Sequence, residues 1–416
     1  MSKPSSRHRV PFWKIGIVAL ILGWIAIWIS RMMLTPIYPI LSAYFDGASL
    51  TQLGLISSFY FLGYLLMQIP SGLLVDRLGM KIIVVPGFIV FGLGTLGMAL
   101  STSLSTMYTA SFFSGLGCGT FFGIAYTVTN VYVPIHRRSL ATALVNSGTA
   151  IGSGIGLAAS SLLVSTGTLA WQNLAVAAGS FALIMALVYA RIMPGQNSAE
   201  SPAALERKLN NLANETARSS FFKPPMVAAY ILYFSTLYLY YLISTWLPDY
   251  LGSVKGFESS LTGIVSSIVF FAGVPGAILF SKLADRFPAR KYHFVITLEA
   301  LAVCALMFTL AVKSNEEIIA GIALYGFFGK LAVEPIIISW LNGFISPWNT
   351  ATALGTLNFF GMSASVIAPF ITGALADTTG RGDLGFCVAA AVTLLGTIAF
   401  ATVAAPYKKE LHQNHP

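Results

Sequence analysis

Charge is scarce in this sequence. Only 9% of its 416 residues are Asp, Glu, Lys or Arg, against roughly a quarter in an ordinary soluble domain. A globule with so few charged side chains cannot cover itself in water, which excludes a soluble enzyme and a disordered tail protein. Cysteine is scarcer still. Cys118, Cys304 and Cys387 lie far apart in apolar surroundings, so there is no disulfide framework and no zinc or redox spacing. Each reads as a small buried apolar residue. Also missing are a Walker loop, a metal-binding histidine pair and a nucleophile elbow, the patterns that nucleotide-driven pumps and membrane hydrolases need. The expectation is a protein that is not an enzyme and carries no cofactor or metal.

What fills the chain is apolar. Hydrophobic types supply 56% of it and glycine another 38 positions, for a mean hydropathy of +0.76. A membrane-crossing helix needs ~20 apolar residues and a short connection adds ~10–15. The length then holds about twelve spans and leaves little room for an extramembrane domain. Spans are predicted over 15–42, 50–74, 82–101, 105–133, 140–165, 171–193, 225–247, 259–283, 292–312, 318–342, 350–376 and 384–405. The first follows a short basic segment without a small-residue cleavage site and is read as retained. Gly148, Gly152 and Gly156, four apart, suit close approach of a neighbouring helix.

The net charge is +9, yet the basic residues flank apolar runs and form no stripe interleaved with aromatics, so nucleic acid is not an expected partner. With an even number of spans, nineteen of the 24 Lys and Arg fall on the side of both termini. Lys255, Lys313 and Arg381 fall on the other, and Arg31 and Lys330 lie within helices. Such an excess marks the cytoplasmic side, so both termini are expected in the cytoplasm of a multi-pass cell-membrane protein. The longest polar loop, 194–224, falls near the middle. Its piece Pro202–Ala217 reads as a solvated linker, with a surface-lying helix as the alternative.

The two halves resemble each other at a constant offset of 209. Gly54-Leu55-Ile56-Ser57-Ser58 matches Gly263-Ile264-Val265-Ser266-Ser267, Pro39 matches Pro248, Asp76-Arg77 matches Asp285-Arg286, and Lys81 matches Arg290. A fixed offset over some forty positions points to a duplicated six-helix unit. The stretch Gly72-Leu73-Leu74-Val75-Asp76-Arg77-Leu78-Gly79-Met80-Lys81 resembles the loop 2–3 signature of the major facilitator superfamily. Ser281–Arg286, followed by Arg290 and Lys291, is a degenerate second copy.

That resemblance covers nearly the whole chain. It implies an all-α membrane protein with twelve transmembrane helices, arranged as two pseudo-symmetric six-helix bundles, 15–193 and 225–405, around a central cavity. Segments 1–14, 194–224 and 406–416 would be cytoplasmic. It also implies a cytoplasmic gate formed by Gly72, Asp76, Arg77, Gly79, Lys81, Asp285 and Arg286. There, an Asp at a helix end meets an Arg or a helix N-terminus of the other bundle. Two departures matter. Ser111 stands where helix 4 of the family often carries an Arg, and helix 5 lacks the Gly-Pro signature of drug antiporters. Both weaken the reading as a proton-driven drug exporter.

An ionisable group at membrane depth costs at least ~2.5–3.5 kcal/mol, so each one asks for a reason. Arg31 lies roughly 24 Å along helix 1. It is expected to hold a carboxylate or phosphate bidentately, against the alternative of reaching to the outer interface. Arg31, seven residues, then Pro39 resembles helix 1 of the superfamily's organophosphate and organic-anion carriers, in which the Arg is a substrate ligand. Lys330 and Glu334, four apart, share a face of helix 10. They read either as a cavity cation held by a carboxylate or as a self-neutralised structural pair. Tyr60, Tyr64 and Gln68 stripe helix 2, and Tyr233, Tyr238, Tyr240, Tyr241 and Trp246 crowd helix 7. These are candidates to line the cavity or simply to pack. Asn130, Asn146 and Asn358 are weaker candidates, and Glu299 reads as structural or snorkelling.

These readings converge on a secondary transporter for a small organic anion, a sugar acid, another carboxylate or a phosphate ester. The expected substrate ligands are Arg31, Tyr60, Tyr64, Asn130, Tyr238, Tyr240, Lys330 and Asn358. Glu334 is the expected proton acceptor in symport, which offsets the cost of moving an anion against a negative-inside potential. Exchange against a counter-anion and export of amphipathic compounds are the alternatives. Short loops offer little surface for protein partners, and a monomer in the bilayer is expected.

Overall fold

The computed structural model describes residues 12–134, 138–193, 223–344 and 350–407. The side chains of Asp76, Arg77 and Asn130 and the surroundings of Gly72 lie outside the described residues, as do most of segment 1–14, the loop 194–222 and the tail from 408. Every described regular element is helical: α1 Phe12–Met32, α2 Tyr38–Tyr44, α3 Leu50–Leu78, α4 Met80–Ala99, α5 Leu104–Cys118, α6 Phe121–Tyr132, α7 Arg138–Ala159 and α8 Trp171–Ile192 in the first half, then α9 Pro224–Ser253, α10 Ser259–Arg286, α11 Lys291–Ala311, α12 Asn315–Phe328, α13 Lys330–Leu341, α14 Thr350–Thr379 and α15 Leu384–Ala404 in the second. Helix is what apolar surroundings demand, because it pairs backbone groups within one segment. Hydroxyls obey the same rule by donating one turn back, as Thr95 does to Phe91 O, Thr309 to Ala305 O and Thr397 to Thr393 O.

Among the described residues, eleven helical stretches are long and apolar enough to cross a membrane. The expected twelfth, 105–133, is divided instead. Gly119 and Thr120 separate α5 and α6, of 15 and 12 residues, each too short to cross alone. Two further spans are interrupted. Span 1 passes through a 3-10 turn, Thr35–Ile37, directly after α1, with Pro36 in the turn and Pro39 opening α2. Neither proline can donate to a continuing helix. Span 10 breaks at Gly329, whose ψ of −153° turns the backbone out of the helix between α12 and α13. All three breaks adjoin residues with polar or charged side chains: Arg31, Cys118 and Lys330. Gly79, at φ +88°, joins α3 to α4 in a single residue, a conformation that L side chains rarely adopt.

Small residues set the helix contacts. Gly148, Gly152 and Gly156 face Ile21, Ile25 and Ile29 of α1 in matching four-residue steps. A Cβ at each would come within 2.6, 2.7 and 2.9 Å of the corresponding carbonyl oxygen. This is the close approach expected of that glycine row. Gly115 packs in the same way on the Tyr60 carbonyl, locking α5 to α3.

The two halves are sealed together at one end. Asp377 of α14 accepts hydrogen bonds from Leu50 N (2.9 Å), Thr51 N (2.7 Å) and the Thr51 hydroxyl. It thereby places a carboxylate on the N-terminus of α3, where the helix dipole favours one. Ser49 and Gln52 complete that terminus as a capping box. Trp246 Nε1 donates to Pro369 O at 3.1 Å, and the Tyr38 and Trp246 rings meet edge to face at 5.3 Å. Ser161 Oγ donates to Ser259 O (3.0 Å) and accepts from Gly263 N (2.8 Å). Further along, Asn358 Nδ2 donates to Gln68 Oε1 at 3.1 Å. The α3–α14 seam therefore runs about 27 Å, the length of the eighteen residues from Leu50 to Gln68.

Candidate functional site

Arg31 ends the regular part of α1 and is 8% exposed. It does not reach to an interface. Its guanidinium carbon lies 4.3 Å from the centre of the Tyr64 ring, 4.8 Å from Trp28, 5.2 Å from Phe61 and 5.4 Å from Tyr60. Of the stripe expected on helix 2, Tyr60 and Tyr64 lie against Arg31, while Gln68 meets Asn358. Tyr60 and Tyr64 present π-faces to a cation, an attraction worth up to ~2 kcal/mol when water is excluded. No carboxylate pairs with Arg31 among the described residues, and its Nε and Nη2 have no hydrogen-bond partner. Removing an ion from water costs several kcal/mol, and two of the three guanidinium nitrogens are left without an acceptor. Cys118, the last residue of α5, stands beside it and donates its thiol to the Tyr60 hydroxyl at 3.1 Å.

Lys330 opens α13 just past the break at Gly329. Its Nζ meets Glu334 Oε2 at 2.8 Å, with the two side chains 14% and 25% exposed, and sits 5.2 Å from the Tyr240 ring centre. Glu334 Oε1 accepts from the Tyr233 hydroxyl. Here the cation has its own counter-charge, and the counter-charge has its own donor. A line of rings joins the two cations. Phe61, beside Arg31, meets Tyr241 at 4.6 Å, and Tyr241 meets Tyr240 at 5.3 Å.

Not every expected ligand gathers here. Tyr238 lies about 160° around α9 from Tyr240, with its ring 6.1 Å from Phe234, so it packs away from the cations. Asn358 bridges to Gln68 and contributes to the seam between the halves. Glu299 does not snorkel: it is 2% exposed and accepts from the Thr236 hydroxyl. Cys304 is exposed and Cys387 half-buried. Of the three cysteines only Cys118 is inside, because α11 turns Cys304 to its outer, apolar face. Of the expected gate, Lys81 is half-exposed at the start of α4. Asp285 and Arg286 are exposed at the end of α10, where Arg286 lies 5.7 Å from the Phe287 ring.

Carriers place their substrate sites near the midplane, beside interrupted helices. Comparison with known proteins gives the family. A family model described as Major Facilitator Superfamily matches residues 19–329 and, in a second copy, 258–415. The chain belongs to the Major Facilitator Superfamily. Its relatives include the "Probable anion transporter 4, chloroplastic" of Oryza sativa subsp. japonica, 26% identical over 85% of this chain and 62% of that protein. They also include the "Quinolone resistance transporter" of Acinetobacter baumannii, 28% identical over 86% of each chain. This chain thus spans under two thirds of the rice protein's length. A solved structure of a bacterial homologue of the human lysosomal transporter Spinster, inward-facing and occupied, superposes with a TM-score of 0.70. It is 17% identical and covers 97% of this chain and 98% of that one.

This superfamily member is therefore a multi-pass membrane transporter and not an enzyme. Three residues of the transporter are not evident from sequence: Cys118 beside Arg31, Thr236 against Glu299, and Asp377 on the α3 terminus. Only Thr236 carries a signal, since it lies one turn from Tyr233 on the same face of α9.

Proposed function

We propose that this transporter is a secondary active carrier of a small organic anion, a sugar acid, another carboxylate or a phosphate ester, moved with a proton by alternating access. The observation that carries this reading is Arg31, a buried guanidinium with no carboxylate and with two of its nitrogens unpaired. An anion entering there supplies the missing acceptors, bidentately for a carboxylate or phosphate. Tyr60 and Tyr64 orient it. Lys330, held by Glu334 and Tyr240, is the second cation, available to the substrate once Glu334 takes a proton and releases it. Asn358, in the seam with Gln68, is a further candidate, whereas Tyr238 packs away from the cations and is not part of this lining.

The wider architecture proposed is twelve spans in two six-helix bundles, with both termini in the cytoplasm of the cell membrane and the monomer as the working unit. The sealed end, at Asp377 and Trp246, then faces outward. The gate residues Gly72, Asp76, Arg77, Gly79, Lys81, Asp285 and Arg286 close the other end in the alternate state. Counter-anion exchange uses the same site without the proton. Export of amphipathic compounds is a second reading, favoured by the line of rings from Phe61 to Tyr240 and by the name of the Acinetobacter relative.

The test is a thermal-shift screen of small anions on the purified protein. A ligand at a hundred times its Kd stabilises by about 2.7 kcal/mol. The expected result is a shift with at least one carboxylate or phosphate ester that disappears in Arg31→Gln. Shifts with hydrophobic cations and none with anions would favour the exporter instead.

A further inference from the structure

Besides the half-buried Glu334, the C-terminal half holds a fully buried carboxylate, Glu299, on α11. It is 2% exposed, and the only hydrogen bond to its carboxyl among the described residues comes from Thr236 on α9. Thr236 is itself 3% exposed, and its hydroxyl also lies 2.9 Å from Leu232 O. A hydroxyl carries one hydrogen. If Glu299 is ionised, that hydrogen has two acceptors to serve. Leu232 O also accepts from Ser235 Oγ at 2.8 Å, so the hydrogen can turn to Glu299, but this still leaves a buried carboxylate with a single donor and no cation against it among the described residues, which is costly. If Glu299 is a carboxylic acid, no charge is buried: its O–H donates to Thr236 Oγ1, and Thr236 donates to Leu232 O.

The charged and titratable groups around it do not change this. Tyr325, on α12, is the neighbour within electrostatic reach. Elsewhere on α12, Glu316 and Glu317 are exposed at its first turn. On α13, Lys330 and Glu334 neutralise each other. On α15 the group is Cys387, half-buried near the helix start. On α10, Lys282, Asp285 and Arg286 are exposed at the far end. On α9, Tyr233 is committed to Glu334 and Tyr240 to Lys330.

We infer that Glu299 is a proton-carrying site of this transporter, loaded in the conformation described here and separate from the Lys330–Glu334 pair. This rests on the carrier reading above. The position suits the role. Thr236 and Tyr233 are one turn apart on α9, so the same helix face holds both carboxylates. Tyr325 packs against Gly329, where span 10 breaks: a Cβ on Gly329 would lie 2.6 Å from Tyr325 O and 3.3 Å from the tip of its ring. Movement at that break changes the cover over Glu299 and the aim of Lys330 together. On release, the Glu299 O–H bond breaks, the proton passes to water admitted by that movement, and the Thr236 hydroxyl rotates from Leu232 O to the carboxylate.

Two readouts test this. The first is infrared difference spectroscopy of the purified protein across a pH jump, which needs no substrate. The carbonyl stretch of a protonated carboxylic acid is expected in wild type and in Glu334→Gln, and is lost in Glu299→Gln. The band missing from wild type, or persisting in Glu299→Gln, overturns the assignment. The second uses proteoliposomes. Glu299→Gln mimics the neutral acid and is expected to keep substrate counterflow, while accumulation driven by one pH unit falls by about tenfold. Undiminished accumulation overturns the inference. If the variant loses counterflow as well, the infrared band decides. A wild type that shows the band but no anion counterflow refutes the anion reading and leaves the protonated Glu299 standing.

Discussion

The two cations within the spans of this transporter, Arg31 buried and Lys330 half-buried, have similar addresses and different company. Arg31 and Lys330 each stand next to a break in a membrane-spanning helix, each beside tyrosine rings from a neighbouring helix. Lys330 brings its counter-charge, Glu334, one turn along the same helix, and Glu334 is further held by Tyr233. Arg31 brings none and is surrounded by Trp28, Tyr60, Phe61 and Tyr64. Rings lower the cost of a buried cation without neutralising it, which leaves room for an anion. A carboxylate neutralises the cation and must itself be neutralised before that cation can bind anything else. On the proposed function, this difference would give the substrate to Arg31 and the switching to the Lys330 pair.

The sharpest way to break this comparison is to remove the unpaired cation. Arg31→Gln is expected to weaken anion binding by about a hundredfold or more, since charge-assisted contacts of this kind are worth ~3–5 kcal/mol when buried. Calorimetry on the purified variant checks it. Arg31→Lys keeps the charge but loses the planar fork and should recover only part of the affinity. A variant at the second cation acts differently. Glu334→Gln leaves Lys330 unpaired, so anion binding is expected to tighten or hold while its pH dependence flattens, which binding curves across pH would show. Tyr233→Phe removes only the hydroxyl that Glu334 accepts from, an effect of about 1 kcal/mol, read as a smaller displacement of the same pH profile.

Much of this is legible in the amino-acid order. The two charges stand out because ionisable groups are rare in such a chain, and the glycine row of α7 because its spacing equals that of a helix face. Tyr238 stands among the expected ligands, although helical periodicity separates it from Tyr233 and Tyr240. Other features are not legible. The interruptions at Gly119 and Gly329 depend on packing that a lone glycine does not reveal. Asp377 caps a helix 326 positions away in sequence, and no local pattern marks that partnership. Cys118 reads as an apolar filler anywhere else; only the fold sets it beside Tyr60. Glu299 is visible as a charge, but its meaning lies with Thr236 on another helix.

Smaller effects sharpen the contrast between buried and exposed charge. Gly115→Val should lower thermal stability markedly, because the added methyl groups meet the Tyr60 carbonyl, and would carry Tyr60 away from Arg31. The smallest effect belongs to an ion pair outside the spans. Arg381 holds Asp383 at 2.7 Å, and the guanidinium's hydrogen bonds keep that carboxyl below the usual carboxylate range. A lowered carboxyl stabilises the fold above its ordinary pKa of about 3.9 and loses the contribution as pH falls through the lowered value. Both groups are near water, where such pairs contribute little. Asp383→Asn is therefore expected to leave the melting temperature unchanged at neutral pH.

One measurement bears most directly on the division of labour between the two cations. It is the affinity of a single transported anion, titrated calorimetrically into wild type, Arg31→Gln and Lys330→Gln over a range of pH. The account predicts that Arg31→Gln weakens binding by about a hundredfold or more at every pH, while Lys330→Gln loses less and shows little pH dependence. Binding that survives in Arg31→Gln but fails in Lys330→Gln would place the substrate at the paired cation and contradict it.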